Sequence, residues 1–196
     1  MDNSVEIHNR RQTVRMPDRI LFAYSPVEPE KYEVLARDFE KGIPLYNRED
    51  SQDIRLYINA QSALTRLRSR DEELAEFLQY LDNKLNLLLR DAGKGRSPLD
   101  HLVYQDVSLS SGGMSFLVER PFNKNDHLKL HLVLLPRYIY ICCLGTVVGV
   151  QNSEEGMPYR ISTRFMLLME EDREKLIQHL FRLQSLALRH RRLNQR

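Results

Sequence analysis

With 196 residues, 42% of them hydrophobic, the chain is long enough for one or two domains with a buried core. A formal net charge of +2 argues against a protein that coats nucleic acid through bulk charge. No apolar run approaches the ~20 residues of a membrane span. The opening MDNSVEIHNRR lacks the apolar core of a secretory signal. Adjacent cysteines such as Cys142 and Cys143 rarely bridge each other, so a reducing, cytoplasmic setting is expected.

The basic residues are unevenly spread: Arg10, Arg11 and Arg15 cluster near the start, and Arg189, Arg191, Arg192 and Arg196 crowd the end. The run RILFAY, Arg19 to Tyr24, reads as a first strand after Pro17, and Pro26 and Pro29 end it. A short helix is expected around Tyr32 to Glu40, closing at Gly42.

From Asp53 to Asp91 there is neither glycine nor proline. Apolar residues recur at Tyr57, Ala60, Leu64, Leu67, Leu74, Leu78, Leu81, Leu85 and Leu88, in steps alternating between three and four, with Asp71 in the one gap. That alternation is a coiled-coil seam, in which one polar residue can fix register or oligomer state. It predicts one continuous helix of roughly 58 Å at 1.5 Å per residue, too long for a domain of this size to bury. Ser69 and Glu72 also form a Ser-x-x-Glu capping box, which would start a second helix. The alternative architecture is therefore a helical hairpin packed on its own domain.

Gly93, Gly95 and Pro98 end the helical stretch, and the apolar period then changes to two. LVYQDVSL, SFLV, HLKLHLVLL, YIYICCLGTVVGV and YRISTRFML read as five short strands, the pattern of an antiparallel barrel or sandwich. EEDREKLIQHLFRLQSLALR then reads as a closing helix, acidic in its first turn and basic in its last, in keeping with the helix dipole. The expected division is an arginine arm and first strand over 1–29, a helical insertion over 30–95 with its coiled coil at 53–91, the remaining strands over 96–170, and a helix with a basic tail over 171–196.

Two stretches carry binding chemistry. Arg11 and Arg15 lie four apart with Arg10 beside the first, and guanidinium forks pair bidentately with phosphate or a guanine Hoogsteen edge and stack on bases. In DVSLSSGGMSF, Asp106 to Phe116, a polar turn of Ser110, Ser111, Gly112 and Gly113 joins two strands; glycines admit close backbone approach and hydroxyls hold ring edges or phosphate. The turn fits an acid-or-amide, serine, glycine spacing in two frames. One starts at Asp106 but puts Ser111 in the glycine slot; the other starts at Ser108, with Ser110 and Gly113 following. The six histidines are scattered, and no metal constellation or nucleophile–base arrangement stands out.

These features together resemble the PilZ family, six-stranded β-barrels that bind the bacterial second messenger cyclic di-GMP. The family pattern is RxxxR, then [DN]xSxxG, then a Gly-x-Val strand and a closing Phe-containing strand and helix. Arg11-Gln12-Thr13-Val14-Arg15 matches the first motif, Gly145-Thr146-Val147 the strand, and RISTRFMLLMEEDREKL the run into the last helix. The resemblance covers residues 8–24 and 99–185 and selects the Ser108 frame, because the family turn usually ends in Gly-Gly. It implies an α+β chain: a six-stranded antiparallel barrel with a long coiled-coil helical insertion and a C-terminal helix.

It further implies a non-catalytic receptor with cyclic di-GMP as ligand, no cofactor and no metal. Arg10, Arg11, Arg15, Ser108, Ser110 and Gly113 are the expected contacts, with Asp106 and Gly112 secondary. Ser108 departs from the family's Asp or Asn; a serine oxygen reaches one ring atom rather than two, a loss of about 1–1.5 kcal/mol. The insertion resembles a tetrameric branch of the family, which implies a homo-tetramer seamed by Leu64, Leu67, Leu74, Leu78, Leu81, Leu85 and Leu88, signalling to an unidentified protein. Two alternatives are an oligomeric PilZ-shaped scaffold without nucleotide binding and a nucleic-acid-binding barrel using the basic tail. DNA binding is not expected.

Overall fold

The structure, a computed structural model, describes residues 14–45, 48–91, 102–153 and 159–193. The order is β1 (Met16–Val27), α1 (Pro29–Glu40), α2 (Arg48–Arg68), α3 (Glu72–Asp91), β2 (Val103–Ser110), β3 (Gly113–Val118), β4 (His127–Leu134), β5 (Ile139–Asn152), β6 (Tyr159–Leu167) and α4 (Glu170–Leu193). All strand pairings are antiparallel, and the sheet closes into a barrel in the order β1-β2-β3-β6-β5-β4. The sequence-predicted first strand and the five later ones are all present.

Alternation builds the barrel. Ile20 and Phe22, Val107 and Leu109, Met114 and Phe116, and Leu128, Leu130, Leu132 and Leu134 face one continuous core. Each such side chain contributes roughly 1.5–3 kcal/mol on burial, and the Phe22 and Phe116 rings meet edge-on with centroids 4.6 Å apart. Cys143 faces the core, which pushes its thiol pKa well up, whereas its neighbour Cys142 packs in a separate cluster with Leu144 against Leu35 and Phe39 of α1. Closure by α4 completes the core, because Leu176 and Leu180 join it and His179 Nε2 lies 2.7 Å from Asp18 Oδ2 at the start of β1.

α1 begins with Pro29 in its first turn and ends at Glu40, and Gly42 just beyond it has a φ of 78°, which suits a glycine after a helix C-terminus. Tyr32 on α1 stacks on His127 at 3.8 Å between centroids.

The single helix expected over 53–91 is not what forms. The chain makes two helices, α2 and α3, broken at residues 69–71 and packed on each other beside the break. Asp71 fits the seam spacing, yet its carboxylate accepts from the Leu74 N–H at 3.0 Å and so caps α3. Its own N–H and that of Arg70 both donate to the Leu67 carbonyl, closing α2. The capping box at Ser69 also fails, because the Ser69 hydroxyl donates backward to the Arg66 carbonyl at 2.8 Å. A helical hairpin was the alternative architecture. The end of α2 reaches the barrel, where Thr65 Oγ1 and the Tyr138 hydroxyl share a hydrogen bond of 2.6 Å.

Of the expected seam residues, Leu64 and Leu67 are half-buried, whereas Leu74 (44%), Leu78 (41%), Leu81 (40%) and Leu85 (59%) stay exposed on α3. The side chain of Leu88 lies outside the described residues. Among the described residues no helix is long and apolar enough to cross a membrane.

Candidate functional site

The polar turn is a tight hairpin. Ser111 and Gly112 form the loop between β2 and β3, and Ser110 faces Gly113 across it. Ser110 is only 3% exposed, and its hydroxyl donates to the Gly113 carbonyl at 2.9 Å, so it braces its own turn. A Cβ on Gly113 would collide with the Thr163 carbonyl oxygen of β6. The next residues hold the same contact: Phe165 N–H donates to the Gly112 carbonyl at 3.0 Å and the Thr163 hydroxyl to the Met114 carbonyl at 3.2 Å. Gly112 has open space around it, and neither glycine has a positive φ. The position that tolerates no side chain is therefore 113, the glycine slot of the Ser108 frame.

Barrel alternation decides which residues look outward. Val107 and Leu109 face the core, so Asp106, Ser108 and Ser110 share the outer face of β2. Ser108 sits between Pro17 of β1 and Ser115 of β3, and Ser115 in turn faces Ser162 of β6, a short shelf of hydroxyl residues. Asp106 is exposed opposite Arg19, whose guanidinium lies 5.9 Å from the Tyr104 ring centroid. Met16, the first residue of β1, faces Leu109, and Arg15 immediately precedes the paired strand.

On the far side, Gly113 faces Arg164 of β6. Arg164 is exposed beside the Ser110–Gly113 pair, and Arg15, also exposed, lies one residue before β1, the strand on the other side of β2. Arg10 and Arg11 lie outside the described residues. Arg164 was missed from sequence. Its signal was the outward alternation Arg160-x-Ser162-x-Arg164 in YRISTRF, but only the non-sequential pairing of β3 with β6 brings it to the turn.

Beside the turn opens a largely apolar cavity of about 240 Å³ lined by Val14, Met16, Ser111, Ile177, Leu180, Phe181 and Gln184. Phe181, one of the lining residues, is 64% exposed. Among the described residues no group of three His, Cys, Asp or Glu side chains could hold a metal ion.

The PilZ domain family model matches residues 88–182. The chain carries a PilZ domain. The matched stretch runs from the end of α3 through β2 to β6 and into the first half of α4, and the barrel is closed by β1, which lies before it. Among solved structures, the chain is similar to a tetrameric PilZ-domain protein from Xanthomonas campestris described as self-assembled through an unusual helical bundle. The two share 17% identity and a TM-score of 0.47, over 91% of each chain. It is also similar to the Bacillus subtilis inhibitor of motility MotI/DgrA, at 13% identity and a TM-score of 0.47, over 90% of this chain and 52% of that one. No curated protein matches the chain.

Proposed function

We propose that this chain is a receptor for cyclic di-GMP that acts on a protein partner and catalyses no reaction. PilZ domains in general serve as receptors or adaptors for this messenger. The observation that supports the proposal for this chain is the exposed Arg164 opposite Gly113 at the serine–glycine turn, with the exposed Arg15 one residue before β1. A doubly anionic, disc-shaped dinucleotide suits two guanidinium groups set across a flat floor, since each can fork onto phosphate oxygens or stack on a guanine. Gly113 keeps that floor low, the Ser108 hydroxyl can accept from a guanine N–H, and the cavity against Phe181 has room for one purine face. Arg10 and Arg11 supply further cationic groups from the arm. On binding, the arm closes over the barrel and changes the surface a partner meets, an order–disorder switch.

The exposed Leu74, Leu78, Leu81 and Leu85 follow a four-three-four spacing on α3. We assign this face to self-association into a four-chain bundle, built from helical hairpins rather than single rods. A second reading is favoured by Ser110, whose hydroxyl is already engaged, and by Ser108 in place of an acid or amide: an oligomeric scaffold that binds no nucleotide.

Amide hydrogen exchange of the full chain with and without cyclic di-GMP separates the two. The receptor reading expects slowed exchange in residues 10–15 and 108–113. Ligand-independent exchange throughout would support the scaffold.

A further inference from the structure

The first residues of β1 are held by a strand from one side only. Met16 to Phe22 pair with β2, but pairing with β4 begins at Leu21, so among the described residues Met16 to Ile20 have a strand neighbour on one edge alone. Such an edge leaves backbone groups without ladder partners. Arg15 is mounted directly on this segment.

Asp18 and α4 supply what β4 does not. Alternation turns Met16, Asp18 and Ile20 inward, toward the end of the barrel that α4 closes. Asp18 Oδ1 accepts from the Arg19 N–H at 2.9 Å, and Asp18 Oδ2 accepts from His179 Nε2 at 2.7 Å. One carboxylate thus joins the strand's own backbone to the helix. On α4, His179 stands between Leu176 and Leu180, which pack in the core, and Met16 shares a cavity with Ile177 and Leu180. With side chains 10% and 2% exposed, Asp18 and His179 meet largely out of water. A buried pair of this kind is weak evidence of added stability, so its contribution lies in geometry. A directed hydrogen bond holds the strand at one position and angle, which apolar packing does not.

We propose that His179, acting through Asp18, is a positioning residue for the arginine arm and fixes how β1 presents Arg15 to the serine–glycine turn. This rests on the receptor reading above. Asp18 lies three residues from Arg15, and its neighbour Pro17 faces Ser108 across the β1–β2 pair. Coupling between two sites is reciprocal, so a ligand that orders the arm also tightens the His179–Asp18 contact. That makes α4 the element through which occupancy reaches the rest of the chain.

The test uses the full chain with cyclic di-GMP, as wild type, His179→Leu and His179→Gln, with Ile161→Val as a control for lost core packing. Gln keeps an N–H donor near the place of Nε2, and Leu removes it. Without ligand, the Met16, Asp18 and Arg19 amides should exchange about tenfold faster in His179→Leu, the worth of one hydrogen bond. Cyclic di-GMP should bind that variant about tenfold more weakly. His179→Gln should stay within about threefold of wild type in both measurements, on the same scale. Ile161→Val, buried in the core away from the pair, should keep wild-type affinity. In wild type the His179 ring NMR signals should shift along the binding isotherm, a readout that needs no variant to fold. Wild-type exchange or wild-type affinity in His179→Leu would overturn the proposal. So would an equal loss of affinity in Ile161→Val, or ring signals that stay fixed as the ligand saturates. No binding by wild type brings down the receptor reading itself, and the amide exchange then still decides whether His179 holds the base of the arm.

Discussion

Adjacent glycines in the turn should respond to alanine with opposite signs. At Gly113 a Cβ would meet the Thr163 carbonyl oxygen, with Arg164 Cα and the Thr163 carbonyl carbon each 3.1 Å away. All three are backbone atoms of a paired strand, so no rotamer change can relieve the clash. The β3–β6 ladder must part locally, and overpacking of that kind costs roughly 1–3 kcal/mol. At Gly112 nothing lies within 4 Å and φ is not positive, so alanine should add about 0.4–1 kcal/mol by restricting the unfolded chain. For a chain of this size each kcal/mol moves the melting temperature by about 2–4 °C. Calorimetric melts should therefore place Gly113→Ala about 2–12 °C below wild type and Gly112→Ala level with it or slightly above. A Gly113→Ala protein as stable as wild type would refute the close approach of β3 to β6. The second glycine of the turn would then have to be explained by ligand contact alone.

His131 is buried, hydrogen-bonded to the Tyr140 hydroxyl at 2.6 Å, and held down to a pKa of about 4 by burial and then by Lys129. The unfolded chain takes up this proton near 6.5 and the folded one only near 4, so stability falls as pH drops through that window. The loss should reach about 2 kcal/mol at pH 5. Urea midpoints of wild type and His131→Gln at pH 7 and 5 should show a shallower decline in the variant; equal declines would refute the assignment. Leu78→Glu combined with Leu81→Glu should reduce the light-scattering mass from about four chains to one while the β circular dichroism persists. Loss of the β signal would mean that the hairpin is part of the core. Ser108→Asp should tighten cyclic di-GMP about tenfold, the worth of one added hydrogen bond. An unchanged affinity would remove Ser108 from the site.

The barrel was legible because every strand turns alternate apolar residues toward one main core, and period two survives in runs such as HLKLHLVLL even though β1, β4 and β5 also bury residues on their outer face. The helical insertion was half legible. Asp71 satisfies a heptad seam and a helix cap equally well by spacing, and only the position of its carboxylate against the Leu74 N–H distinguishes them. The serine–glycine turn could be found from residue types, but not the engagement of Ser110 with its own turn. Arg164 was hidden for a topological reason: β6 follows β5 in the chain yet sits beside β3, a pairing no local pattern records.

Titration calorimetry of the full chain with cyclic di-GMP, beside Arg11→Ala and Arg15→Ala, tests the central claim most directly. A receptor gives saturable binding at micromolar concentration or tighter, lost in both variants, with a stoichiometry that separates one ligand per chain from a stacked pair. No binding by wild type, in calorimetry and in a second equilibrium method, would contradict the account and leave an oligomeric scaffold.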